Sequence, residues 1–181
     1  MRKGGTISKI LSFIIDAAIV AAIVLVAICF FRPVIVNGVS MQPNLAQQDY
    51  VFVSRKAYDV GKPKIGDVVV FRYNTGDEKE LLIKRVVALP GDTLDISGGR
   101  VYVDGREQDQ SFTKDGVTPG SVNSYKVPKG TVYVMGDNRK KSYDSRFIGP
   151  VKISKIYGKA VFRLFPIKKA GTLKAYGGDI K

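Results

Sequence analysis

Histidine is absent from this chain of 181 residues, and cysteine occurs once, as Cys29. Without histidine, a serine nucleophile cannot be activated by a Ser-His-Asp triad and needs another base. A single cysteine excludes an intrachain disulfide, and the two absences together exclude a transition-metal site built on His and Cys ligands. No spaced acidic loop suggests a site for a hard cation. We therefore expect no metal and no other cofactor.

Acidic residues are also scarce, since 16 Asp and Glu stand against 29 Lys and Arg, which leaves a formal net charge of +13. Such a surface is attracted to nucleic acid or to anionic lipid. No zinc-finger, RNP-type or arginine-rich pattern is present, so no nucleic-acid partner is expected. Together with the hydrophobic segment described next, the charge favours anionic membrane lipid as a partner. A merely soluble basic surface is the alternative.

The chain contains one long hydrophobic run, which covers residues 10–31 and has about the length of a bilayer-crossing helix. We predict a transmembrane anchor here, with a cleavable secretory signal and a buried helix of a soluble protein as alternatives. Basic residues before the run predict a single-pass topology in the cell membrane, with residues 1–9 cytoplasmic and the following domain outside. Asp16 is expected to be solvated or paired with Lys9, and Cys29 to act as a small apolar residue.

Beyond this run, β-branched and aromatic stretches alternate with turns rich in Gly, Pro, Asn and Asp. The pattern predicts a mainly β, antiparallel domain over residues 32–166. Asp104 and Gly105 mark the clearest hairpin, because this pair accepts the positive φ of a tight turn. We expect a small cap around residues 104–125 and a loosely held, Lys- and Gly-rich tail over residues 167–181. The predicted strands cover residues 34–36, 50–53, 68–71, 81–87, 93–96, 101–103, 131–134 and 159–162.

Ser40 is the candidate nucleophile, because it follows the hydrophobic run closely and a turn at Gly38 can expose its hydroxyl. In a chain without histidine a lysine is the obvious base, and Lys84 lies in the apolar stretch 81–87. A neutral lysine accepts a proton as imidazole does, provided that removal from water lowers its pKa. Lowering that pKa from about 10.4 to about 8 costs roughly 3 kcal/mol. A structural serine in a turn and a surface lysine on a strand are the alternatives.

Strand alternation predicts the surroundings of this lysine. Leu82 and Val86 share the face of Lys84, whereas Ile83 and Arg85 lie on the opposite face. We therefore expect Lys84 to point inward and Arg85 to reach solvent.

Three segments together resemble the bacterial type I signal peptidase family: residues 40–43, 84–92 and 136–146. Their order, their spacing and the preceding hydrophobic run are similar to the family pattern, and the third segment is the most specific. The single run and the small cap resemble the short enzymes of Gram-positive bacteria. The resemblance implies a membrane-anchored serine endopeptidase that removes signal peptides from secreted preproteins after small residues, as in Ala-x-Ala. Ser40 and Lys84 would form its catalytic dyad.

The resemblance also implies supporting residues in the third segment. The serine that matches Ser142 would hydrogen-bond the catalytic lysine and orient it. Asp144 and Arg146 would form a salt bridge that holds the site. Two further residues resemble supporting groups: Asp137 and Arg139.

The oxyanion position departs from the best-known pattern of the family. Many members carry a hydroxyl residue two positions before the serine, and here that residue is Gly38. The N–H of Ser40 can still donate to an oxyanion. The second donor would then be a backbone N–H or water.

Two segments match the walls of the family's binding cleft, residues 34–36 and residues 81–83. A substrate peptide could add between them as an extra strand. Five residues are candidates for shallow apolar pockets that accept small side chains, with a purely structural role in the core as the alternative: Val34, Val36, Met41, Val70 and Ile83.

Two other functions are alternatives to a signal peptidase. A relative of the self-cleaving repressor proteases would share the Ser-Lys chemistry, but no DNA-binding segment precedes Ser40. A membrane-tethered β domain that binds anionic lipid or a partner would need no chemistry, and a degenerate motif would favour it. Ser40, Lys84 and Ser142 are all present, which favours the peptidase.

Overall fold

The computed structural model describes residues 4–75 and 78–176. It begins with a 27-residue helix, α1 (Gly4–Phe30), which leads directly into the first strand. The apolar side chains described along this helix are exposed, and Phe13 retains 74% of its accessible area. Helix α1 therefore presents an apolar surface that no other element of the described chain covers.

The helix predicted over residues 10–31 is present, but its transmembrane span is not supported. Within residues 4–75 and 78–176, no helix is long and apolar enough to cross a membrane. Asp16 lies on the exposed surface of α1. The predictions for residues 1–3 and for the side chain of Cys29 fall outside the described residues.

Antiparallel pairing joins all the strands of the described chain, which confirms the mainly β, antiparallel prediction. A large sheet has the order β1-β2-β11-β3-β4-β9-β10, with β12 beside β11, and a small sheet has the order β7-β6-β5-β8. Two short helices are α2 (Ala57–Val60) and α3 (Ser145–Ile148). The strands are β1 Phe31–Ile35, β2 Tyr50–Ser54, β3 Val68–Thr75, β4 Glu78–Ala88, β5 Thr93–Ser97, β6 Arg100–Val103, β7 Arg106–Glu107, β8 Val122–Lys126, β9 Thr131–Met135, β10 Val151–Lys152, β11 Ile156–Phe165 and β12 Gly171–Thr172.

The hairpin predicted at Asp104 and Gly105 is confirmed. Both residues have positive φ, 50° and 75°, and they join β6 to β7 with Val103 opposite Arg106. Asp-Gly is suited to this turn because glycine carries no Cβ that would oppose a positive φ. The small sheet and its loops form the region where the cap was expected.

Apolar packing brings residues from distant strands of the large sheet together. Val36 follows β1 and Ile83 lies on β4, and three strands separate β1 from β4 in the sheet order. Both residues nevertheless belong to one buried cluster, which also contains Val51, Val68 and Met41. A twisted sheet can wrap around its own apolar face in this way. The free edge of β1 and the part of β4 that precedes Arg85 consequently border the same apolar cluster.

The predicted loose tail differs from the structure over residues 167–176. A 3₁₀ turn, Ile167–Lys169, precedes β12, in which Gly171 pairs with Arg163 and Thr172 with Phe162. Residues 177–181 of the predicted tail lie outside the described residues. Residues 173–176, which follow β12, pack on the domain. Their apolar and hydrogen-bond contacts could not be predicted from a Lys- and Gly-rich composition.

Candidate active site

Ser40 and Lys84 meet inside the domain, although 44 residues separate them in sequence. Lys84 Nζ lies 2.9 Å from Ser40 Oγ and 3.1 Å from the carbonyl oxygen of Ile83, to which it donates. Ser40 stands in a turn after β1, and Lys84 lies in the middle of β4. The nucleophile candidate and the base candidate are thus in direct hydrogen-bond contact.

The environment of Lys84 disfavours its charged form. The side chain is buried, and this burial lowers the pKa of Lys84 to about 8, while the carboxylates of Asp144 and Asp137 oppose the shift. A lysine with such a pKa is partly neutral near neutral pH. It can then accept a proton from a hydroxyl at hydrogen-bond distance.

The prediction that Arg85 reaches solvent is wrong, because both faces of β4 are covered. Ile83 packs in the cluster that contains Val70, and Val86 packs in a second cluster with Phe71. Arg85 retains 2% of its accessible area. Alternation along a strand separates two faces, but a strand in the centre of a covered sheet has no solvent side.

A buried ion pair satisfies Arg85. Its Nε and Nη2 atoms donate to the two carboxylate oxygens of Asp137, each at 2.8 Å, and its Nη1 donates to the carbonyl oxygen of Gly66 at 2.7 Å. Asn44 donates to the same carboxylate at 2.9 Å. Two parallel hydrogen bonds fix the relative orientation of the two groups.

The segment after Asp137 holds the loop of the nucleophile. The backbone N–H of Asn138 donates to the carbonyl oxygen of Ser40 at 2.9 Å, and the Asn138 side-chain amide donates to the carbonyl oxygen of Val39 at 3.2 Å. Sequence reasoning did not single out Asn138 or Asn44. Asn138 stands in the family-like segment, which could have found it, whereas Asn44 stands in a polar turn without any signal.

Asp144 and Arg146 form a second bidentate ion pair. Arg146 donates from Nε and from Nη2 to the two oxygens of Asp144, both at 2.9 Å, and Asp144 is fully buried. The same carboxylate accepts the backbone N–H of Gly136 at 3.0 Å. Arg146 also donates to the carbonyl oxygen of Arg139. The pair therefore fixes the end of β9, next to the base.

Ser142 is close to this site but does not make the expected hydrogen bond to Lys84. Its Oγ is buried and has no hydrogen-bond partner within the described part of the chain. A Cβ built on Gly136 would lie 2.3 Å from this Oγ and 2.5 Å from the carbonyl oxygen of Ser40. Ser142 and Ser40 thus border the same point, and only glycine fits between them.

Arg139 is a third buried guanidinium. It donates to the carbonyl oxygen of Gly136 at 3.0 Å and to the side-chain oxygen of Gln110 at 3.2 Å, and it also contacts the hydroxyl of Thr118. Burial lowers the pKa of Arg139 to about 10. Gln110 and Thr118 belong to the region of the cap, so Arg139 connects the cap to the site. Their polar loop sequence carried no signal for this role.

The backbone around Ser40 leaves donors available. No acceptor among the described residues takes the N–H of Ser40. Gly38 has φ +91°, and a Cβ built there would meet nothing within 4 Å. The space that a side chain at position 38 would occupy is therefore open.

The five predicted pocket residues come together. Val36, Met41, Val70 and Ile83 belong to one buried cluster, and Val34 packs against it half-buried. Each of the four retains 6% of its accessible area or less. They therefore contribute to the core, with Val34 at its margin.

The upper part of β4 has a free edge. Leu81, Leu82 and Ile83 pair with β3 on one side, whereas the pairing of β4 with β9 begins at Arg85. Strand β1 also ends its sheet and pairs only with β2 in the described chain. Two unpaired edges thus flank the apolar cluster near Ser40.

Comparison with known proteins identifies the family. The family model described as signal peptidase, peptidase S26, matches residues 7–165. A signal peptidase I of Bacillus caldolyticus is 36% identical over 152 residues, which cover 77% of this chain and 82% of that protein. A probable signal peptidase I-1 of Synechocystis is 34% identical over 175 residues, which cover 90% of this chain and 86% of that protein.

Among solved structures, a signal peptidase I of Enterococcus faecalis V583 is 26% identical, with a TM-score of 0.47 over 55% of this chain and 97% of that one. The resemblance noted in the sequence is confirmed by the family model and by the two relatives. The Ser40–Lys84 contact lies inside the matched region. The chain therefore belongs to the peptidase S26 family of signal peptidases and is an enzyme of the signal peptidase I type.

Proposed function

We propose that this chain is a Ser-Lys endopeptidase that removes N-terminal signal peptides from exported preproteins, with Ser40 as nucleophile and Lys84 as general base. The observation that carries the proposal is the 2.9 Å contact between Lys84 Nζ and Ser40 Oγ. The chain has no histidine that could take the role of Lys84. Burial and a pKa of about 8 make the lysine a competent base.

In this mechanism neutral Lys84 accepts the hydroxyl proton of Ser40 while Oγ attacks the scissile carbonyl carbon. The resulting ammonium donates a proton to the leaving amine as the peptide bond breaks, and the signal peptide stays bound to Oγ as an ester. Neutral Lys84 then takes a proton from water, which attacks the ester and releases the signal peptide. The proton returns to Ser40, so the enzyme ends in its starting state.

Stabilisation of the oxyanion falls to backbone groups. The N–H of Ser40 has no acceptor in the described chain and is free to donate. Gly38 supplies no hydroxyl, so the second donor is a backbone N–H or a water molecule in the open space beside it. This differs from family members that carry a hydroxyl residue at this position.

The two ion pairs keep Lys84 in its working state. Asp137 and Asp144 both raise the pKa of the lysine, and each is paired with an arginine, Arg85 and Arg146. A paired carboxylate exerts a weaker field on a neighbouring amine than an unpaired one. Ser142, buried without a partner beside the site, supplies a hydroxyl that can accept from Lys84 once the lysine is protonated.

We infer that the substrate binds as an extra strand between the free edges of β1 and β4. Backbone hydrogen bonds along such edges hold an extended peptide. Val34 lies on β1, Val36 follows that strand and Ile83 lies on β4, and Met41 and Val70 belong to the same apolar cluster. Because four of these five side chains are buried, they offer little accessible surface to a substrate side chain, which favours small residues, as in an Ala-x-Ala site. This proposal makes the five residues walls of shallow pockets as well as core.

Attachment to a membrane is the remaining part of the proposal. Helix α1 exposes apolar side chains along its described length, with Phe13 at 74% and Leu25 at 64% of their accessible area. Burial of these side chains in lipid removes them from water. The net charge of +13 favours an anionic lipid surface. The single-pass topology, with the peptidase domain outside the cytoplasm, stays a prediction.

A cleavage assay tests the central proposal. The purified chain in detergent is expected to cut a preprotein with an Ala-x-Ala site after the last Ala, as determined by mass spectrometry of both products. Ser40→Ala and Lys84→Ala should abolish this cleavage and keep the fold. Ser97→Ala and Lys126→Ala are matched controls, because both side chains are exposed and stand on strands of the small sheet. Processing that persists in a folded Ser40→Ala or Lys84→Ala variant would refute the dyad.

Flotation with vesicles tests the attachment. The chain should float with anionic phospholipid vesicles, and a chain that lacks residues 1–30 should not. Extraction into the soluble fraction by alkaline carbonate would contradict deep insertion of α1. The chain belongs to an enzyme family, which excludes a membrane-tethered binding domain without chemistry.

A further inference from the structure

The segment after β12, residues 173–176, packs against the same part of the domain as the site. Leu173 donates its backbone N–H to the carbonyl oxygen of Val161 at 3.0 Å, and its side chain packs against the cluster that contains Met41. The carbonyl oxygen of Lys174 accepts from Nη1 of Arg85 at 3.1 Å. The segment thus contacts both the apolar cluster and the buried arginine.

Tyr176 packs beside this arginine together with Phe112. Its ring stacks on Phe112, with centroids 5.1 Å apart and an interplanar angle of 6°. The guanidinium carbon of Arg85 lies 5.0 Å from the centre of the Phe112 ring and 5.3 Å from that of Tyr176. A guanidinium at this distance from aromatic rings is attracted to them, more strongly when water is excluded.

The fit around Tyr176 is close. A Cβ built on Gly66 would lie 2.4 Å from the carbonyl oxygen of Tyr176. Gly66 is also the residue whose carbonyl oxygen accepts from Arg85 at 2.7 Å. The segment therefore packs directly on Gly66, which lies just before β3. Glycine permits this close approach because it has no Cβ.

Arg85 connects this segment to both members of the dyad. It is the neighbour of Lys84 in β4, and its partner Asp137 precedes Asn138, which donates to the carbonyl oxygen of Ser40. We propose that residues 173–176, through the ring of Tyr176, are a positioning element that holds Arg85 and thereby keeps Ser40 and Lys84 at reactive distance. The inference rests on the proposed Ser-Lys function.

Removal of this element would change the site in a defined direction. Water would reach Arg85 and weaken its hold on Asp137, whose charge raises the pKa of Lys84. The other charged groups near Lys84 are Asp144, paired with Arg146, and Arg139. These remain in place, so a less paired Asp137 and easier water access would both favour the ammonium form of Lys84.

The test uses the full chain and single substitutions. Tyr176→Ala is expected to lower kcat roughly 10- to 100-fold and to change KM less than about twofold, because the reacting groups are misplaced while the substrate edges are untouched. The rise of kcat with pH should move to higher pH. Tyr176→Phe should restore the parent values, since the hydroxyl of Tyr176 has no hydrogen bond in the described chain. Ile167→Ala, at a side chain 79% exposed, is the matched control.

Two shortened chains provide a second comparison. A chain that stops after Tyr176 keeps the positioning element, and a chain that stops after Thr172 removes it. The first should match the parent enzyme. The second should lose at least as much kcat as Tyr176→Ala and should also change KM, because it removes Leu173, which packs against the cluster of proposed pocket residues. Turnover is expressed per folded enzyme, measured by circular dichroism and a denaturation curve.

Every outcome decides the proposal. Parent turnover per folded molecule in Tyr176→Ala, or an unshifted pH profile, would overturn it and reduce the segment to a stabilising one. A failure of Tyr176→Phe to restore activity would also overturn it. The proposed function fails separately, through a parent chain that does not cleave or a Ser40→Ala variant that does.

Discussion

Arg85 and Asp137 form a buried bidentate ion pair in which Arg85 adjoins one member of the proposed dyad and Asp137 adjoins a residue that contacts the other member. Arg85 follows Lys84 in β4, and Asp137 precedes Asn138, whose N–H donates to the carbonyl oxygen of Ser40. The pair therefore joins the strand of the base to the loop of the nucleophile. A disturbance on either side of the pair should reach the chemistry.

Asp137→Asn should destabilise the domain by about 3–5 kcal/mol, because it leaves the charge of Arg85 buried without its partner. Urea denaturation followed by circular dichroism measures the loss. Asp115→Asn is the matched control, since Asp115 makes an ion pair with Lys140 at 3.6 Å on the surface. That change should stay within about 1 kcal/mol. Equal effects of the two substitutions would contradict the role of the buried pair.

The pH dependence of cleavage should report Lys84. With a pKa of about 8, roughly a tenth of the lysine is neutral at pH 7, so kcat/KM should rise about tenfold toward a plateau above pH 9. A pH series with a fixed preprotein measures the profile. An activity that stays flat between pH 6 and pH 9, or falls, would exclude a neutral lysine as the base.

Burial of Lys84 should also lower the free energy of unfolding, by an amount that depends on pH. Its pKa in the folded state, about 8, lies below that of the unfolded chain, so the unfolded chain binds the proton more readily and stability rises between pH 8 and about 10.5. At pH 7 Lys84→Met should therefore stabilise the fold by up to about 3 kcal/mol while it abolishes cleavage. The gain should vanish near pH 10.5. Denaturation curves at both pH values measure it, and a gain independent of pH would point to packing instead.

Two neighbouring serines should respond in opposite ways. Ser142 Oγ has no partner in the described chain, so Ser142→Ala removes no hydrogen bond from the folded state and should leave the unfolding free energy within about 0.5 kcal/mol or raise it. The kcat of the Ser142→Ala variant should fall roughly tenfold or more, because the hydroxyl proposed to accept from protonated Lys84 is lost. Ser145 Oγ accepts the buried N–H of Val134 at 2.9 Å, so Ser145→Ala should cost about 1–3 kcal/mol. A large stability loss with full kcat in Ser142→Ala would reverse this assignment.

Gly136 should tolerate no side chain. In Gly136→Ala the new Cβ would lie 2.5 Å from the carbonyl oxygen of Ser40 and 2.3 Å from Ser142 Oγ, and a backbone atom cannot rotate away. We expect kcat to fall roughly 100-fold, because the nucleophile loop must shift. Burst kinetics with a preprotein would locate the loss in the acylation step. Unchanged acylation would mean that the loop yields without moving Ser40 Oγ.

Much of the fold and the central pair of the site could be predicted from local sequence. β-branched runs between turn residues indicated the main strands, because strand formation and turn chemistry depend on neighbours along the chain. The weakly apolar strand β8, Val122–Lys126, was expected to be part of a loop or cap, since its pairing with β5 and not its own composition makes it a strand. The same holds for β12, which forms only because β11 lies beside it.

The sequence by itself determined the choice of base, since a chain without histidine leaves lysine as the partner of Ser40, and it determined the mainly β architecture through its residue pattern. Only the tertiary structure decided that Arg85 is buried, that Ser142 Oγ has no hydrogen-bond partner in the described chain, and that Tyr176 stacks on Phe112. Alternation along one strand cannot say whether a face is covered, because the covering side chains come from distant parts of the chain. Burial, ion pairing and the pKa of Lys84 depend on those distant groups, so only the folded chain establishes them.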